Sequence, residues 1–162
     1  MAQDIFLYID GIPGESKKKN VEGWIELFSF SNGIQNHSTV SHGGGSGAGK
    51  ADLSSINCTK MLDMASPKLF LNCAKGTHVD KGTMVVREST GDATTQIYYQ
   101  YDFKELFIDS VNWSGADGGG KPSEALSFSY NQLTITYWPQ NADGTLGSPI
   151  VVGWNVSTNT QV

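Results

Sequence analysis

Apolar and polar positions alternate with a period of two along most of the chain, the pattern of strands that put one face on a core and the other in water. Residues 4–9 set Ile5, Leu7 and Ile9 against Phe6 and Tyr8 in a β-branched and aromatic run, which predicts a first strand. The run from Val21 to Ser31 puts Trp24, Glu26, Phe28 and Phe30 on one face and Ile25, Leu27, Ser29 and Ser31 on the other. That second face changes from apolar to small and hydroxylated, which suits a surface lining something wet. Asn32-Gly33 then reads either as a type I′ turn closing a hairpin onto residues 34–40 or as a bulge within one long strand. A looser alternation through Leu53 and Ile56 predicts a strand over residues 51–58.

The period changes once. Ser66-Pro67 offers an N-cap followed by a proline at the first helical position. Leu69, Phe70, Cys73 and Ala74 then form one apolar stripe, with Lys68 and Asn72 on the wet side, and Gly76 after Lys75 stops the helix. Beyond residue 77 the alternation returns in runs over 82–88, 94–103, 104–113, 124–138 and 150–157, separated by Gly-, Pro- and Asn-rich turns. Many short strands and a single short α-helix predict a mainly β chain, a compact antiparallel β-barrel or sandwich with the helix on its flank. No parallel βαβ unit appears.

Length and charge narrow the class. The 162 residues predict one domain, with 38% hydrophobic positions and seventeen aromatic side chains for its core, while 19 glycines predict many turns or loops. A net charge of −5 and the lack of a clustered basic face exclude nucleic acid as the expected partner. The only basic run, Lys17-Lys18-Lys19, reads as a solvated turn. The first ten residues hold no basic leader, and their apolar run is too short for a signal peptide or a membrane span, so synthesis and folding in the cytoplasm are expected. Cys58 and Cys73 are expected to be reduced, buried thiols.

The sharpest local motif is Ser41-His42-Gly43-Gly44-Gly45-Ser46-Gly47-Ala48-Gly49-Lys50. Its Gly44-x-x-x-x-Gly49-Lys50 spacing matches a phosphate-cradling loop, whose glycines expose backbone N–H groups and whose lysine reaches the outer phosphates. That motif needs Ser or Thr next to hold Mg²⁺, and Ala51 follows. It also needs a buried strand before it and a helix after it; residues 35–42 are polar and residues 52–57 are not helical in pattern. A flexible arm is the better reading, because glycine softens the chain and lets another backbone come close.

Other chemistry is sparse. His37, His42 and His78 lack metal-ligand spacing and nearby carboxylates. Asp102, Glu105 and Asp109 flank apolar positions, and a regular strand would put Glu105 and Asp109 on one face, where a solvated surface or a subunit salt bridge is expected before acid–base work. Neither a nucleophile elbow nor a cysteine motif is present. No catalytic, cofactor or metal site is expected.

Several segments, in order, resemble the haemolysin-coregulated protein (Hcp) family of bacterial type VI secretion systems. They are residues 1–7 with Gly14-Glu15-Ser16; residues 43–50; Cys58-Thr59-Lys60-x-x-Asp63 with Ser66-Pro67-x-Leu69; Tyr137-x-Pro139-Gln140; and Gly153-Trp154-Asn155. The resemblance implies a β-barrel with one helix that assembles into hexameric rings. The rings would stack into the inner tube of a contractile injection machine, inside a sheath and behind a spike, and the lumen would hold effector proteins. It implies secretion through that machine without a signal peptide or membrane insertion, and, with the chain ending at Val162, no C-terminal toxin domain. The Ser29/Ser31 face is then the candidate cargo-facing surface. Gly43, Gly44, Gly45, Ser46, Gly47, Ala48, Gly49 and Lys50 become a candidate loop reaching a neighbouring subunit or the next ring. Two other classes make distinct predictions: a monomeric β-barrel binding a small ligand or glycan in an apolar pocket, and a nucleotide hydrolase whose Mg²⁺-dependent binding depends on Lys50.

Overall fold

A computed structural model describes residues 2–37, 49–88 and 96–162. The chain runs β1 (Gln3–Ile9), β2 (Ile25–Leu27), β3 (Ser29–Ser31), β4 (Ile34–Asn36), β5 (Ala51–Leu53), β6 (Ile56–Met61), α1 (Ser66–Lys75), β7 (His78–Glu88), β8 (Ile97–Ser114), β9 (Ser123–Ser129), β10 (Gln132–Tyr137), β11 (Ile150–Asn155) and β12 (Thr160–Gln161). Every pairing is antiparallel. One path orders β12-β11-β10-β8-β7-β1-β2, and a second leaves β8 through β9 to β6 and β3. The arrangement is sandwich-like. The turn of chain from β2 into β3 joins the two paths at one side, without a ladder that closes a barrel.

The expected run over residues 21–31 breaks at Phe28. Ile25 and Leu27 are buried on β1's side, whereas Ser29 and Ser31 are exposed and Phe30 packs on the core. The face changes because Phe28 lies at the corner where the strand leaves β1 and joins β6; its N–H donates to the Thr59 carbonyl at 2.8 Å and its ring is 64% exposed. The single face carrying Ile25, Leu27, Ser29 and Ser31 is therefore corrected to two.

At Asn32-Gly33 the two residues between β3 and β4 oppose three, Ser54 to Ile56, between the same register points. This is bulge-like. The Gly33 N–H donates to Ser54 Oγ at 2.7 Å, and the Ser54 N–H to the Gly33 carbonyl at 2.9 Å. β4 and β5 thereby continue β3 and β6 as a two-stranded ribbon, which also divides the expected 51–58 strand in two. Residues 97–114 form one strand instead of two, and residues 124–138 form two, parted at Tyr130-Asn131. In β8, Glu105 takes a left-handed φ of 55° and the register shifts between Ile108 and Ser110. Together these put Phe103, Leu106 and Ile108 all in the core.

The core itself is aromatic and aliphatic. Phe103 stacks on Tyr101 and meets Phe128 edge-on at 5.1 Å, with Leu7, Ile25, Ile56, Leu69 and Met84 fully enclosed around them. Helix α1 stops at Gly76, whose φ of 65° closes the C-terminus as expected. Its start differs: the N-cap is Ala65, Ser66 is already helical, and Asp63 Oδ1 accepts from the Ala65 N–H at 3.0 Å. Leu69 and Cys73 face the core, whereas Phe70 at 53% and Ala74 are exposed. The core-facing stripe is thus narrower than Leu69, Phe70, Cys73 and Ala74.

Candidate functional site

Strands β3, β6, β9 and the C-terminal half of β8 lie side by side, and their register lines up rows of outward side chains. One row is Ser29, Thr59, Ala125 and Asn112; the next is Ser31, Asn57, Ser127 and Ser110; a third, on the last three strands, is Met61, Ser123 and Ser114. Every one of these residues is exposed or half-buried, and none carries a charge. Hydroxyls link across the strands: Ser29 Oγ lies 2.6 Å from Thr59 Oγ1, and Ser114 Oγ 2.9 Å from Ser123 Oγ. The alternate positions face inward as Phe30, Cys58, Leu126 and Val111. The period of two that makes the core on one side thus makes a small, polar, uncharged surface on the other.

At one end of this surface Asp109 is held by Ser55 Oγ at 2.8 Å and Ser129 Oγ at 3.0 Å. The left-handed φ of 55° at Glu105 and the register shift between Ile108 and Ser110 break the strict alternation between Glu105 and Asp109 assumed from sequence. Asp102 accepts from Thr83 Oγ1 and Gln100 Nε2, both at 2.9 Å. Each aspartate is thus tied to neutral donors rather than paired with another carboxylate. Among the described residues no group of three His, Cys, Asp or Glu could hold a metal. His37 is exposed and His78 packs against Phe107; His42 lies outside the described residues. Cys58 is buried and burial pushes its thiol up to about 12, whereas Cys73 is only half-buried, contrary to the buried pair expected.

The inward row that continues towards α1 is different. Lys60, Glu124 and Trp113 lie side by side on β6, β9 and β8. Lys60 and Glu124 are both fully enclosed and form an ion pair. The Lys60 ammonium also donates to Asp63 Oδ1 at 2.8 Å, Ser66 Oγ at 3.1 Å and the Met61 carbonyl at 3.1 Å. The Ser66 hydroxyl donates to Glu124 Oε2 at 2.7 Å. The Lys60-x-x-Asp63 and Ser66-Pro67 segments therefore act together as a latch that pins the start of α1 to β6 and β9. Glu124 is the member that sequence reading missed. It sits 64 residues beyond Lys60, and no local pattern marks it.

Of the glycine arm, residues 43–48 lie outside the described residues. Its far end is placed: Gly49 is half-buried, its carbonyl accepts from Asn36 Nδ2 at 3.0 Å, and Lys50 is exposed just before β5. The segment after Lys50 is a strand, not the helix that a phosphate loop needs.

A sandwich-like, antiparallel β fold with one flanking helix, and a four-stranded face dominated by small polar side chains, define the class of fold. The chain belongs to the Hcp family: the family's sequence profile, described as Type VI secretion system effector, Hcp, matches residues 6–137. It is 32% identical to protein hcp1 of Pseudomonas aeruginosa over 162 residues, covering 99% of each chain. A solved type six secretion system protein superposes with a TM-score of 0.92 at 32% identity, over 99% of this chain and 100% of that one. Hcp1 from Salmonella typhimurium does so with a TM-score of 0.82 at 30% identity, with both chains fully covered. Among the described residues no helix is long and apolar enough to cross a membrane.

Proposed function

We propose that this chain is the tube-forming subunit of a type VI secretion system. Six copies close into a ring, rings stack into the inner tube within a contractile sheath and behind its spike, and the tube carries effector proteins out of the cell. The small-polar face of β3, β6, β9 and β8 is the observation that carries this reading. A channel that passes varied cargo needs a wall that wets readily and holds nothing tightly, and rows of uncharged Ser, Thr, Asn and Ala, with Met61 the one large apolar member, meet that need. Ser29 and Ser31 then face the lumen together with Asn57, Thr59 and Ser127. The exposed apolar side chains elsewhere supply surfaces that association can bury.

Native mass spectrometry tests the assembly. A six-subunit species is expected; a species of 17.5 kDa alone would overturn the reading. A monomer would instead direct attention to the apolar groove of about 380 Å³ beside Trp154, which is what a small-ligand module would use.

A further inference from the structure

Four adjacent strands meet at one corner of the sandwich, where β1 and β8 begin and β7 and β10 end, with Gln3 opposite Glu88 and Tyr99 opposite Tyr137. A cavity of about 180 Å³ opens among these ends, and Gln3, Glu88, Gln96, Tyr98, Trp138 and Gln140 stand in its wall. Glu88, Gln96, Tyr98 and Trp138 are half-buried, whereas Gln3 and Gln140 are exposed.

Local geometry builds this wall. The β7/β8 register passes from Val86–Tyr99 to Arg87–Ile97, so Tyr98 is the extra residue of a bulge and has no partner across the ladder. A bulge re-aims the side chain it carries, and this one brings Tyr98 to the cavity. The Trp138 N–H donates to the Tyr98 carbonyl at 2.9 Å and the Glu88 N–H to the Gln96 carbonyl at 3.4 Å, which ties the wall together in pairs. The segment after Trp138 is fastened to itself. The Asn141 N–H donates to the Thr145 carbonyl and the Gly147 N–H to the Pro139 carbonyl, both at 2.7 Å, and Gln140 bridges to Leu146. A site held in this way before its ligand arrives loses little freedom on binding.

The side chains select a ligand class. Three primary amides and one carboxylate surround the rings of Tyr98 and Trp138, and among the described residues no side-chain hydrogen bond engages any of them. Their neighbours Tyr99 and Gln100 are both bonded. Each amide both donates and accepts, and the carboxylate accepts. Burial and the Glu88 charge raise Tyr98, so its hydroxyl stays a donor at neutral pH. Among the described residues no Lys or Arg stands in the wall, so an anionic ligand would meet a carboxylate and no counter-charge. A ligand with neutral hydroxyls along its edge and C–H groups on its faces suits both the amides and the rings. The volume lies below the range of roughly 300–1,000 Å³ usual for drug-sized ligands, which limits the enclosed part to a single ring.

We propose that this corner is a carbohydrate-binding site, taking one neutral sugar ring stacked on Trp138 and hydrogen-bonded through Glu88, Gln96 and Gln140. The proposal goes beyond carriage of cargo and does not depend on ring formation, since none of these residues belongs to the small-polar face.

Saturation-transfer NMR on the full chain tests it, with the methyl β-glycosides of glucose, galactose and N-acetylglucosamine as probes. Transfer to at least one of them is expected. Glu88→Gln and Trp138→Ala should each weaken binding several-fold in chains that circular dichroism shows to be folded. Gln140→Ala, at an exposed position, supplies the same readout if the tryptophan variant does not fold. Phosphorylated glucose should bind no more tightly than the glucoside. Absence of transfer to all three probes from the folded wild-type chain would overturn the proposal, as would undiminished binding in both Glu88→Gln and Gln140→Ala. A phosphorylated sugar bound several-fold more tightly would overturn the neutral class. Native mass spectrometry of the same samples keeps the two readings apart: a monomer that binds sugar overturns the ring alone, and a ring that binds none overturns this site alone.

Discussion

Lys60 and Glu124 face each other across the β6/β9 ladder with neither side chain reaching solvent, and the hydroxyl of Ser66 bridges them to helix α1. Two carboxylates, the partly buried Asp63 and the fully enclosed Glu124, share one ammonium there. Removing one partner of such a pair strands a charge in the interior, at a cost of about 3–5 kcal/mol, whereas replacing both with apolar groups of similar volume is often neutral or stabilising. Lys60→Met, which leaves the enclosed Glu124 without a counter-charge, should therefore lower unfolding free energy in urea by about 3–5 kcal/mol. Lys60→Met with Glu124→Leu should recover most of that loss. A double variant as unstable as the single would show that the pair itself, and not the stranded charge, sets the stability.

Much of the fold was legible in the sequence because it follows from local periodicity. Ile5, Leu7 and Ile9 alternate as they pack, and Ser66-Pro67 to Gly76 bound the helix to within a residue. What was not legible depends on tertiary context. Ser66 looks like a cap, but its hydroxyl serves Glu124, 58 residues away. The change of face at Phe28 arises from the switch of partner strand, and the turn at Glu105 has no glycine to announce it. Of the polar face, Ser29 and Ser31 stood out because they follow an apolar run. Asn57, Thr59, Ser127 and Asn112 join them only through the register of four strands.

Gly14 sits where the backbone leaves no room for a side chain. Its N–H donates to the Gly23 carbonyl at 2.8 Å, and a Cβ added there would lie 2.6 Å from Ile25 Cα and 2.6 Å from Ile25 N. Backbone cannot move aside as a flexible side chain does. Gly14→Ala should destabilise by about 1–3 kcal/mol, the usual range for overpacking, and thermal melts of the two chains measure it. Gly11→Ala is the contrast. No atom lies within 4 Å of its added Cβ, so whatever it costs comes from its φ of 78°.

Alkaline pH should expose the buried thiol. Burial pushes Cys58 up to about 12, against about 8.5 for an unfolded cysteine. Between those values the native chain keeps its proton while the unfolded chain has released it. The unfolded state then binds fewer protons, so stability falls as pH rises. The contribution is intact below about pH 8.5 and is lost at about 1.4 kcal/mol per pH unit as pH climbs towards 12. Burial raises Tyr101 and Tyr130 in the same sense, so the decline steepens above about pH 10, where unfolded tyrosine ionises. Urea titrations from pH 7 to 11 read the slope. Cys58→Ala should remove the part that begins below pH 10, and an unchanged slope there would assign it to other groups.

The small-polar face makes a prediction about cargo. Ser31→Gln adds a long amide to the row shared with Asn57 and Ser127, without touching the core that Phe30 and Cys58 make behind it. Ring size by native mass spectrometry should not change. Retention of effector in a pull-down should fall several-fold, and further for Ser29→Gln combined with Ser31→Gln. Full retention by the double variant would move the cargo surface away from these strands.

The glycine arm closes the question of Lys50. Its two ends are held by the β4/β5 ladder, where Asn36 pairs with Ala51 and Asn36 Nδ2 reaches the Gly49 carbonyl. The register points of that ladder, Ile34–Leu53, Gln35–Asp52 and Asn36–Ala51, all lie outside residues 43–49. Deleting Gly43–Gly49 should therefore leave thermal unfolding within a few degrees of wild type while impairing ring stacking, read as shorter tubes by electron microscopy, and secretion. Lys50→Ala should act in the same direction and more weakly, since an exposed charge at an interface typically contributes no more than about 1 kcal/mol. A nucleotide-binding loop predicts the reverse ranking, because the lysine would be the phosphate ligand; Mg²⁺-dependent nucleotide binding abolished by Lys50→Ala would restore that reading. Normal tubes and normal secretion from the deletion would show that the arm has no part in assembly.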